Sequence, residues 1–117
     1  SMNLPVAILA VLMSFFIVGC TVSPGPRRGY DAEVNVEEAG VRLLRNGMTV
    51  CLIRPQFSKV ENWKLIDGNT EIVIKSRGGR GPAVVEGFDT TTGILKEKIL
   101  ASEIQNGKPE WAEGFED

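Results

Sequence analysis

Arg77, Gly78, Gly79 and Arg80 lie within the stretch KSRGGRGPAV, which brings three basic side chains to a glycine-rich turn. Amides of neighbouring glycines can form a concave nest for an anion, so the chemistry expected there is docking of a phosphate, a carboxylate or a lipid headgroup. The same residues also suit a solvated hairpin connection. A second cluster is Trp111 and Phe115 in the C-terminal stretch NGKPEWAEGFED, where Glu110, Glu113, Glu116 and Asp117 follow Pro109 without a base. Their four-residue spacing would place both rings on one face of a helical turn, as partner-binding anchors entering a groove. The alternative is that Trp111 tucks into the chain's own fold.

Other chemistries are excluded by residue type. The chain of 117 residues carries 13 Lys and Arg, 15 Asp and Glu and no histidine, for a net charge of −2. Without histidine there is no Ser-His-Asp or Cys-His nucleophile pair and no His-containing zinc or haem site. The turn Gly78 to Pro82 lacks the Lys and the Ser or Thr that a phosphate loop places at a helix start. The carboxylate pairs Glu37-Glu38 and Glu86 with Asp89 have no sequence context that raises a pKa for acid–base work. Cys51, between Val50 and Leu52, reads as a packed small apolar residue, not a reactive thiol, because no base stands beside it. The expectation is a protein that is not an enzyme, with no cofactor, no metal and, at so small a net charge, no nucleic-acid partner.

The N-terminal segment sets the location. Leu4 to Val18 is an uncharged apolar run, and the residues that end it, Ile17-Val18-Gly19-Cys20, resemble the lipobox of bacterial lipoproteins. That resemblance implies cleavage before Cys20 and lipidation of Cys20. With Thr21, not Asp, after the cysteine, it further implies an outer-membrane lipoprotein facing the periplasm. The rival is a retained span from Leu4 to Val22, whose nineteen residues reach about 28 Å at 1.5 Å per residue. Arg27 and Arg28 follow that run, which would make a single-pass inner-membrane protein with its domain in the cytoplasm. Both alternatives tether the chain to membrane lipid in the bacterial cell envelope. Cys20 and Cys51 occupy such different settings that a structural disulfide framework is not expected.

The elements that would position these groups follow from periodicity. Residues 1–20 are the signal peptide or membrane-spanning anchor, 21–29 a Pro/Gly linker, 30–108 a small β-rich domain and 109–117 an acidic aromatic tail. DAEVNV alternates like a half-buried strand. MTVCLIR, NWKLID, TEIVIKS, AVVEGFD and ILKEKIL read as further strands between turn residues. NVEEAGVRLLRNG admits a helix capped by Asn35, with Glu38 at the third position of a capping box, or a hairpin turning through Asn46-Gly47; the acidic first turn favours the helix. The expected fold is mainly β, with α+β open: a small twisted sheet or partly open β-barrel with one short helix, preceded by an N-terminal hydrophobic helix. The expected role is a membrane-tethered accessory or structural subunit that meets other membrane or envelope proteins through its sheet edge, its tail and its anchor. The alternative is a small module that binds an anionic ligand at Arg77 to Arg80.

Overall fold

A computed structural model describes residues 29–117, so the apolar run, Cys20 and all of the linker but Gly29 lie outside the described residues. The described chain is mainly β, with two 3-10 turns and no α-helix among the described residues. No helix there is long and apolar enough to cross a membrane. Strands β1 (Tyr30–Asn35), β2 (Gly40–Arg45) and β3 (Met48–Ile53) form one antiparallel sheet in the order β1-β2-β3. A second antiparallel sheet runs β4 (Lys59–Ile66), β5 (Glu71–Arg77), β6 (Ala83–Asp89) and β7 (Leu95–Leu100) in sequence order.

The helix expected after Asn35 is a turn and a strand. Asn35 does act as a cap, its Oδ1 accepting the Glu38 amide at 2.9 Å, but Ala39 has φ +54°, which ends any helix there. Gly40 then opens β2, where a Cβ would lie 2.7 Å from the Ile53 carbonyl oxygen. From Val41 on, burial alternates, with Val41 and Leu43 fully buried and Arg42 half-exposed. Asn46 and Gly47, at φ +51° and +82°, close the β2–β3 hairpin. Both residues have the positive φ of a hairpin turn whose twist matches the strands, and this outweighs the acidic pair's helical preference.

Two cores result. Val41, Leu43 and Ile53 of the first sheet pack on Ile72, Ile74 and Phe88 of the second. On the opposite face of the second sheet, Val73, Ala83 and Val85 pack on Ala101, Ile104, Ala112 and Phe115, which follow β7. β5 is therefore covered on both sides, and Glu71, Val73 and Ser76 are as buried as its isoleucines. Glu71, Val73 and Lys75 alternate with the two isoleucines of β5, and the side they form is roofed at Val73 and Lys75 by the C-terminal segment.

Candidate functional site

The C-terminal segment reaches this roof through two tight turns. A 3-10 turn at Ala101–Glu103 leads to Asn106 and Gly107, both at positive φ, which reverse the chain so that Gln105 bridges to Lys108. A second 3-10 turn spans only Glu110–Ala112, so Trp111 and Phe115 do not share a helix face. The Phe115 amide donates to the Ala112 carbonyl at 3.1 Å, which turns the ring inward, where it is 5% exposed. Trp111 is half-buried against the same core. The tail's aromatics thus belong to its own fold, and the helical-anchor geometry expected for them is corrected.

Charge fastens the end of the chain. Lys64 Nζ donates to the Glu113 carbonyl at 2.6 Å and stands 5.2 Å from the Phe115 ring centroid, a cation–π contact. Lys75 Nζ lies 3.2 Å from the Asp117 carboxylate and donates to the Glu116 carbonyl at 3.3 Å. Arg77 binds Asp117 as well as Glu61, the latter with Nε to Oε2 at 2.9 Å. Hydrogen bonds from Arg77 hold the Glu61 and Asp117 carboxyls below their usual range.

These contacts bear on the glycine-rich turn. Arg77 faces two carboxylates and also donates to the Gly81 carbonyl at 3.0 Å, whereas Arg80 is exposed. Its glycines answer to packing and to the turn. A Cβ on Gly78 would meet the Phe57 ring at 2.7 Å, Gly79 sits at φ +57°, and the Gly81 amide is bonded to the Gly78 carbonyl at 3.0 Å.

A buried glutamate beside a half-buried one went unseen in the sequence. Glu71 is 1% exposed; Lys96 Nζ reaches its Oε1 at 3.2 Å, while Oε2 is buried without a hydrogen-bond partner among the described residues. Gly87 pairs with Glu97 of β7, and a Cβ placed on it would lie 2.0 Å from Glu71 Oε2 and 3.1 Å from Glu97 Cγ. Both acidic side chains therefore cross the bare face of Gly87. The hydrogen bond with Glu71, followed by burial, pushes the Glu97 carboxyl up to about 7, with Asp67 adding repulsion and Lys96 opposing. A proton on Glu97 supplies the donor that Glu71 Oε2 lacks. A glycine inside a strand is the one sequence signal that marks such a close approach.

Two surfaces face outward. One is a cleft of about 520 Å³ between the β4–β5 turn and the tail, lined by Lys64, Ile66, Asp67, Glu110, Trp111 and Glu113. The other is the β7 edge, where Ile94, Leu95 and Leu100 are 66%, 44% and 38% exposed. An irregularity in the β6–β7 register pairs Leu95 with Phe88 and Leu100 with Val84, which puts both leucines on the face that carries the inter-sheet core. Edge strands are commonly guarded by lysines. Here Lys96 is tied back to Glu71, and Lys98 Nζ donates to Gln56 Oε1.

Cys51 is 9% exposed and packs in the core between the sheets, as expected of a small apolar residue, but it is disulfide-bonded, which corrects the expectation that the cysteines form no disulfide. The chain's other cysteine, Cys20, lies outside the described residues. Comparison of the chain with known protein families, with curated proteins and with solved structures found no match.

Proposed function

We propose that this protein is a membrane-tethered, non-catalytic accessory subunit of a bacterial envelope complex, and that its β7 edge receives an extended segment of a partner protein. The observation that carries this is the edge itself: the outermost strand of its sheet among the described residues, with two exposed leucines and exposed Ile94 just before it, whose lysines are held against its own fold. Such an edge offers unpaired backbone groups for strand addition and an apolar shoulder for selectivity. In this arrangement the two stacked sheets act as a partly open β-barrel whose open side is completed by the partner strand. The N-terminal apolar run is the tether: as a retained span it leaves the Cys20 sulfur available to a disulfide, whereas lipid on Cys20 would leave Cys51 to bond a cysteine of another chain. A sulfur that bears a lipid cannot also close a disulfide, so intact mass before and after reduction reads the state of Cys20.

The test is co-purification in mild detergent from native membranes. Wild-type protein should bring a stoichiometric membrane or envelope partner, and the double variant Leu95→Lys, Leu100→Lys should lose it. Both side chains are part-exposed, so the variant should melt within about 4–8 °C of wild type, the response to about 1 kcal/mol in a domain this small. Retention of the partner by the variant, or a wild-type protein that purifies alone, would contradict the proposal.

A further inference from the structure

We propose that the cleft under the C-terminal tail binds an arginine side chain presented by a partner polypeptide. Three carboxylates rim it from two separate segments: Asp67 from the β4–β5 turn, and Glu110 and Glu113 from the tail. Trp111 contributes a half-buried indole and Ile66 an apolar surface. Lys64, the single base in the lining, is spent elsewhere, on the Glu113 carbonyl and over the Phe115 ring. Glu110 pairs with Lys108 at 2.7 Å, but those side chains are 79% and 68% exposed, and an exposed pair of this kind is exchanged at little cost.

The lining therefore offers a net negative rim around an aromatic wall, three carboxylates against Lys64 with Lys108 beside Glu110. Among the described residues these carboxylates do not form a group able to hold a metal ion. A guanidinium matches the cleft better than a compact ammonium, because it is planar, stacks on indole and presents paired donors to carboxylates. A volume of about 520 Å³ admits the whole side chain with adjoining backbone. The cleft borders β4, at the opposite edge of the sheet from β7, so the two surfaces are independent.

The probe is the blocked tripeptide acetyl-Gly-Arg-Gly-amide, with its citrulline counterpart as the uncharged isostere. It is titrated into the full ¹⁵N-labelled chain in detergent at low salt. The arginine peptide should shift the Trp111 indole N–H and the amides of Asp67 and Glu110 saturably. The citrulline peptide, and the arginine peptide with the Asp67→Asn, Glu110→Gln protein, should each bind at least roughly tenfold more weakly. Equal binding of the two peptides, non-saturating shifts, or wild-type affinity in the carboxylate variant would overturn the proposal. The Leu95→Lys, Leu100→Lys protein should titrate like wild type, which separates failure at the cleft from failure at the edge; loss of peptide binding in it would also overturn an independent cleft site.

Discussion

Phe115→Ala is expected to cost about 3–5 kcal/mol, the usual range for truncating a buried aromatic, and to lower the melting temperature by roughly 15 °C or more. The ring is 5% exposed and packs with Val73, Val85 and Ala101, so alanine leaves a void at the centre of the second core. It also removes the surface over which Lys64 is held. Trp111→Ala should cost less, because the indole is only half-buried. Deleting residues 109–117 should be at least as damaging as Phe115→Ala, since it also frees Lys75 and Arg77 from Asp117 and uncovers β5. Thermal unfolding followed by circular dichroism decides the matter. A melting temperature unchanged by the deletion would mean that the tail does not roof the sheet.

The second large effect is in the pH dependence of stability. Folded Glu97 has its pKa raised to about 7, while in the unfolded chain it returns to the ordinary value of about 4.3. The folded state therefore holds a proton between these values that the unfolded state has released. The stability this provides is complete below about pH 4 and is lost as pH rises through about 7. Glu61 and Asp117 behave in the opposite sense. Their carboxyls are held low by Arg77, so their contribution is present above the ordinary carboxylate range and lost as pH falls. Between about pH 5 and pH 8 the slope thus belongs to Glu97, and wild-type protein should lose on the order of 4–8 °C of melting temperature across that window. Glu97→Gln supplies a permanent donor to Glu71, so it should flatten the slope and melt above wild type at pH 8. A wild-type slope that persists in this variant would remove Glu97 as its source.

Most strands were legible because their side chains alternate between turn residues whose backbone requirements are strict. Asn46-Gly47 and the Asp67-Gly68-Asn69 turn, all at positive φ, are of this kind. The segment after Asn35 misled because a cap, an acidic first turn and apolar residues at helical spacing are satisfied equally well by a capped turn feeding a strand. What decides it is the left-handed Ala39 and the close approach of Gly40 to Ile53, neither of which is written in local spacing.

The candidate sites were harder to read for a related reason. Arg77 looked available for an anion because its partners, Glu61 and Asp117, are 16 and 40 residues away along the chain. The tail looked unpartnered because its bases, Lys64, Lys75 and Arg77, are all on β4 and β5. Burial of Glu71 has only an indirect trace, Gly87 in the middle of an otherwise substituted strand. The β7 edge was visible as a strand, but that it would be outermost, and that its lysines would fold back, depends on the order of the whole sheet.

Site-specific photo-crosslinking in intact membranes tests the β7 edge most directly. A photoreactive phenylalanine analogue at Leu95 reports on that edge, and the same group at Met48, 73% exposed on the other sheet, serves as a control. Irradiation should give a discrete protein adduct from position 95 and none from position 48. An adduct from position 48 with none from position 95 would contradict strand addition at β7.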